Sequence, residues 1–283
     1  MLARNDAVSL ASERRIEAVL HFATGGGRTV LVHQHVPYPF HVTRAFHLDR
    51  PRPDLATLYL QSASGGLYRG DRLVLDIDVA AGAAVHVTTQ AATVVHDTRE
   101  RCATQLTRLR VAAGSFAAVV PDPLVLFPGA AIESRVEVKL EQGARAILAE
   151  GFAHHDPAGE ERPFARAALS TIVRDGNDRV ALSDRGAISG AEFFSAASPA
   201  GSYRATGMLF ALGPGAECLD AAALEHRLAA AGCLAGVSHA PHDLGLGVRI
   251  LAPDGGALAR GLDIAFAAAF EALLGFPPAR RRK

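Results

Sequence analysis

Tryptophan is absent from this 283-residue chain, and only 6% of its residues are aromatic. Few flat rings are therefore available for a sugar to stack on. The three cysteines, Cys102, Cys218 and Cys233, are odd in number and far apart. That excludes a disulfide framework and points to a reducing compartment. Net charge is zero, which removes the electrostatic case for nucleic acid or an anionic membrane as partner. Long apolar runs are missing. The longest candidate, Ile264 to Leu274, is about half of the roughly 20 residues a bilayer span needs. Met1 to Glu17 carry Arg4, Asp6, Glu13, Arg14 and Arg15 among short apolar pieces, with no continuous apolar segment of secretory type. The expected location is cytoplasmic.

What the chain has is core material and turn residues. Hydrophobic residues make up 49% and charged residues 20%, enough to bury a core and too apolar for disorder. Residues 1–13 read as a loose start. Glu17–Phe22 and Thr29–His33 read as two strands joined at Gly25-Gly26-Gly27, a hairpin signal. Pro37, Pro39, Pro51 and Pro53 mark edges and loops, because proline cannot donate to a ladder.

The middle third repeats. Val79-Ala80-Ala81-Gly82-Ala83 recurs as Val111-Ala112-Ala113-Gly114-Ser115 and as Leu140-Glu141-Gln142-Gly143-Ala144, at spacings of 114 − 82 = 32 and 143 − 114 = 29. Alternating strands flank each copy, with Leu73, Leu75, Ile77 and Val79 on one face of the first. A strand-turn-strand unit repeating every 30 residues or so predicts either stacked β coils or three ordinary hairpins in a sandwich. The pattern alone leaves both open.

After a polar loop at residues 154–163, strands are expected at Ala167–Val173 and Arg179–Leu182 around an Asp175-Gly176-Asn177 turn. Character changes near Pro199. A strand at Tyr203–Leu212, a helix at Ala216–Ala231, a strand pair and a second helix at Ala257–Leu274 make a small β-α-β-β-α portion. We therefore expect a mainly β fold with a body over 14–199 and an α/β portion over 200–276 packed on it as one unit. The basic tail Arg280 to Lys283 reads as a solvated terminus.

Several chemistries are weighed and set aside. Gly65 and Gly70 have P-loop spacing, but Asp71-Arg72 stands where Lys-Ser/Thr must reach phosphate. Gly213-Pro214-Gly215 lacks the third glycine of a dinucleotide turn. No Gly-x-Ser-x-Gly is present. Asp76 and Asp78 share a strand face that alternation assigns to solvent. His33-x-His35, His154-His155-Asp156 and His239-x-x-His242-Asp243 hold ligand-type side chains in no specific metal pattern. For each, surface or loop histidines are the plainer reading. His33 and His35 share one face and chelate only if a third ligand approaches. Polar residues inside apolar strands stand out more: Asp71, Thr88, Thr89, Gln90, Thr93 and Glu150. The alternatives are structural, with Asp71 capping its turn and Glu150 in an ion pair, or functional, with these groups lining wet space.

Gly65-Gly66-Leu67-Tyr68-Arg69-Gly70-Asp71-Arg72-Leu73, followed by Thr88-Thr89-Gln90-Ala91-Ala92-Thr93, resembles the signature of UreD (also UreH), the urease accessory protein family. Gly26-Gly27-Arg28-Thr29, Pro39 to Phe46 and Pro121 to Ala130 match in the same order, and the likeness runs from Arg14 to Pro277-Pro278. Tyr68, Arg69 and Val94 depart from the family pattern. The resemblance implies a β-helix-like fold, a non-enzymatic urease chaperone with no tightly bound cofactor, and transient passage of nickel. It implies binding to UreF, recruitment of the GTPase UreG and docking on apo-urease, with room for a homodimer in the accessory complex. Carried onto matching positions, Asp71, Thr89, Thr93 and Glu150 are the candidates to line a nickel route. The competing readings are a β-helical carbohydrate-active enzyme and a bare oligomeric β scaffold.

Overall fold

Three glycine turns set the architecture. Gly82, Gly114 and Gly143 adopt φ of +76°, +67° and +70°, a left-handed conformation that glycine enters without steric cost. Each turn sends the chain from one sheet to another. In the computed structural model, which describes residues 15–281, β5 (Arg72–Val79), β8 (Ala103–Val111) and β11 (Ala131–Leu140) lead into the turns, and β6 (Ala84–Thr89), β9 (Phe116–Val120) and β12 (Arg145–His154) leave them. The strands stack in parallel: Arg72 pairs with Thr104, Ala103 with Ile132, Ala84 with Phe116 and Phe116 with Arg145. Those offsets are the spacings of the glycines, 32 and 29. Ordinary hairpins would pair antiparallel, so the register selects stacked coils.

Two large sheets result. The first runs β14-β13-β11-β8-β5-β1-β2, with β1 (Arg15–Gly25), β2 (Arg28–His35), β13 (Arg166–Arg174) and β14 (Val180–Ile188). The second runs β16-β17-β15-β12-β9-β6-β4-β3, with β3 (Phe40–Val42), β4 (Ala56–Ser62), β15 (Ala205–Leu212), β16 (Leu234–His239) and β17 (Gly245–Ala252). Short strands β7 (Val94–Val95) and β10 (Leu124–Leu126) form a narrow third side, where β10 pairs in parallel with both β7 and β12. The β1–β2 hairpin turns through Gly26 and Gly27, both at positive φ, as a two-residue loop requires.

Leu20, Phe22, Leu75, Ile77, Val85, Val87, Val138 and Leu148 fill the space between the sheets. On the other side of the second sheet, Ala84, Phe116, Ile147 and Leu209 pack against α2 (Ala221–Ala230) and α3 (Gly255–Leu274). The three-layer order follows from alternation, since successive residues of a strand face opposite ways. β15 pairs antiparallel with β12, so the second sheet runs unbroken past residue 199.

The C-terminal order β15-α2-β16-β17-α3 is the expected β-α-β-β-α portion. One helix differs from expectation. Ala216–Cys218 is a separate 3-10 turn, and α2 starts afresh because the Asp220 side chain accepts from Ala223 N at 2.9 Å. A four-residue helix, α1 (Gly190–Phe193), was not foreseen. Its signal is a capping box, Ser189 with Glu192. The basic tail is not fully solvated. The Arg281 guanidinium lies over the Phe266 ring, donates to Thr88 Oγ1 at 2.7 Å and pairs with Asp263. Residues 1–13, Arg282 and Lys283 lie outside the described residues. Among the described residues no helix is long and apolar enough to cross a membrane.

Candidate functional site

Interior positions of the stacked strands are apolar along most of their length and turn polar at one end. On β12, Ala146 and Leu148 point between the sheets, and Glu150 follows in phase. On β11 the interior residues are Val136, Val138 and Leu140, with Ser134 in the same phase. On β8, Gln105 and Thr107 continue the face of Leu109 and Val111, and on β13 Thr171 continues that of Val173. On β6, Thr89 follows Val85 and Val87.

These polar ends meet around one cavity of about 710 Å³, lined among others by Thr89, Gln90, Thr93, Gln105, Ser134 and Glu150. Gln61, Ser62 and Gln90, also in its wall, are exposed or half-buried, so the space reaches the surface at the C-terminal ends of β4 and β6.

Glu150 is the one deeply buried carboxylate in the wall, 8% exposed. Ser134 Oγ donates to its Oε1 at 2.7 Å, and Thr171 Oγ1 donates to its Oε2 at 3.0 Å. Gln105 Nε2 donates in turn to Ser134 Oγ at 3.3 Å. No lysine or arginine among the described residues pairs with it, so the ion-pair reading of Glu150 does not hold. Burial raises its pKa from 4.5 to about 7, against the lowering effect of the two hydroxyl donors. Loss of hydration penalises the charged form, and hydroxyl bonds return only part of it.

The other candidates divide. Thr89 lines the cavity and accepts from Asp122 N at 2.7 Å through Oγ1. Thr93 lines it beside β7. Asp71 is not among the lining residues. Its Oδ2 accepts from Tyr68 N at 2.8 Å, closing the 68–71 turn, as the structural alternative for this residue requires. Thr88 faces the opposite way, donating to Val120 O at 2.7 Å on the helix side. Sequence reasoning missed Gln105, Thr107, Ser134 and Thr171. Their signal was available: each is polar at an in-phase position of an otherwise apolar strand face.

The histidine groups fall elsewhere. His154 is half-buried, bonded through Nε2 to Arg162 O at 2.8 Å and packed on Phe194. Asp156 holds the Arg162 guanidinium with both oxygens, at 2.8 and 3.0 Å. That group is a loop clamp. His239 and His242 are exposed. Among the described residues, no three His, Cys, Asp or Glu side chains converge closely enough to hold a metal ion. Asp76 faces outward and pairs with Arg108 at 3.0 Å, as alternation predicts.

Chemically, the cavity offers a carboxylate, hydroxyls and amides. Such oxygen donors suit a hydrated divalent cation held loosely, where clustered imidazole or thiolate would hold it tightly. Its one buried carboxyl, Glu150, is bonded to two hydroxyls and, among the described residues, to no second carboxylate.

Comparison with known proteins bears on what such a cavity serves. The sequence model of the UreD urease accessory protein family matches residues 15–283. Urease accessory protein UreD 1 of Methylorubrum populi is 51% identical over 277 residues, covering 98% of this chain and 94% of that one. UreD 3 of Bradyrhizobium sp. (strain ORS 278) is 46% identical over 275 residues, 97% of each chain. UreD 1 of Pseudomonas syringae pv. syringae is 35% identical over 281 residues, 97% of this chain and 98% of that one. A match that spans the stacked body, the cavity and the C-terminal helix alike leaves no part of the fold outside it, and the chain belongs to the UreD family of urease accessory proteins.

Proposed function

We propose that this chain is a non-catalytic scaffold of urease maturation whose interior cavity passes nickel toward apo-urease. It binds UreF, which brings UreG, and the assembly docks on apo-urease. Nickel is cargo here, with no resident cofactor. The observation that carries this reading is Glu150: a carboxylate buried in a cavity wall, bonded to two hydroxyls, without a cationic partner among the described residues. A buried acid with no counter-charge is costly unless something charged visits it. A divalent ion beside it would restore the anionic form and release a proton at neutral pH. Thr89, Thr93 and Gln90 supply further oxygen ligands between Glu150 and the surface. Weak, scattered oxygen ligands support transit, since release must follow entry.

The test is urease nickel content and activity in cells carrying the whole urease cluster with only this chain deleted. Urease protein that accumulates without nickel, and gains it when the chain is restored, is the expected result. Fully loaded urease without the chain overturns the reading.

A further inference from the structure

The two strands at the far edge of the first sheet place a histidine pair on its outer face. His21 of β1 and His33 of β2 are direct cross-strand partners. Their ring centroids are 5.1 Å apart with planes tilted by 45°. The pairing depends on an irregularity that sequence did not announce. The register slips after His21, so that Phe22 pairs with Leu31 and Val32 has no partner on β1. The slip keeps Leu31 against the core while His33 stays outside opposite His21. Without it, His33 would not face His21.

We propose that His21 and His33 form a two-imidazole chelate for a borderline divalent transition ion, on the outer face of the sheet and separate from the interior cavity. Imidazole nitrogen ligates such ions at about 2.1 Å, which puts each ring centroid roughly 3.2 Å from the metal. Two rings sharing one ion at an angle between 90° and tetrahedral then stand about 4.5–5.2 Å apart, a range that includes the separation observed. Both side chains are exposed. Neither imidazole makes a hydrogen bond to the described residues, so binding need not break one. Asp78 lies beside His21 in the parallel register of β1 and β5, and Arg110 reaches Asp78 only loosely, at 3.9 Å. Its carboxylate adds negative charge next to the pair. Water completes the coordination, because among the described residues no third ligand converges there. Imidazole nitrogen selects nickel, copper and zinc over magnesium and calcium. His35, two residues along β2, pairs with Val19 and lies outside the chelate.

The experiment titrates the full chain with Ni²⁺ alone, by calorimetry and by proton NMR of the histidine rings. We expect the tightest site to be the one whose occupancy broadens the His21 and His33 resonances first. We expect His21→Ala and His33→Ala each to weaken that site at least tenfold, with His35→Ala and His239→Ala within twofold of the parent. The pair is exposed, so the alanine variants keep the fold, and the ring broadening in the parent chain needs no variant. Unchanged affinity in the His21→Ala/His33→Ala double variant overturns the proposal. So does broadening confined to other histidines.

Discussion

The Ser134 hydroxyl reaches across the interior from β11 to donate a 2.7 Å hydrogen bond to Oε1 of Glu150 on β12. That bond and its counterpart from Thr171 hold a carboxyl group whose environment favours the neutral form.

Glu150 has a folded pKa of about 7 against an ordinary 4.5. The folded state therefore holds a proton that the unfolded chain has released between those values. Stability falls as pH rises from 4.5 to 7, by roughly 3 kcal/mol in all. Glu150→Gln removes this loss. Urea denaturation at pH 5 and pH 8 should show the parent losing stability relative to Glu150→Gln across that interval. Equal losses in both proteins would mean that Glu150 is solvated and ionised.

Ser134→Ala deletes a donor that lowers the Glu150 pKa. The carboxyl then titrates still higher. The variant should be destabilised by about 1–3 kcal/mol at pH 8, the cost of an unmet bond to a charged group, and by less at pH 5. A deficit that does not depend on pH would assign Ser134 to packing alone.

Thr89 and Asp71 separate route from turn. Thr89→Val keeps shape and removes a cavity oxygen, while Asp71→Ala removes a cap from the 68–71 turn. In the deletion strain restored with each variant, we expect Thr89→Val to lower nickel per urease at unchanged chain level. Asp71→Ala should cost about 1 kcal/mol of stability and leave nickel per folded chain as it was. Nickel loss in Asp71→Ala at unchanged stability would move the route out to the turn.

Two glycines test the coil. An added Cβ at Gly114 meets no atom within 4 Å, so Gly114→Ala carries only the left-handed strain, about 1–2 kcal/mol. At Gly245, with φ of +148°, a Cβ would stand 2.0 Å from Ala211 O. Gly245→Ala should cost at least about 3 kcal/mol or fail to fold. Similar midpoints in urea for the two variants would argue against the β15–β17 register.

Local pattern determined much of this protein. The spacings of Gly82, Gly114 and Gly143 became the parallel register of the coils, because each glycine ends a strand at the same rung position. Alternation assigned Asp76 to solvent and Leu75 to the core before any contact was known. The two terminal helices and their stops were legible from apolar periodicity and from Gly275, whose φ is +84°. Tertiary structure alone decided what the polar residues meet. Glu150 finds Ser134 and Thr171 at sequence separations of 16 and 21, and Asp71 finds only its own turn. His33 faces His21 because of a register slip. A strand's period says which face a side chain takes. What lies across that face depends on how sheets stack and where a ladder slips, and both are set by packing among residues distant in the chain.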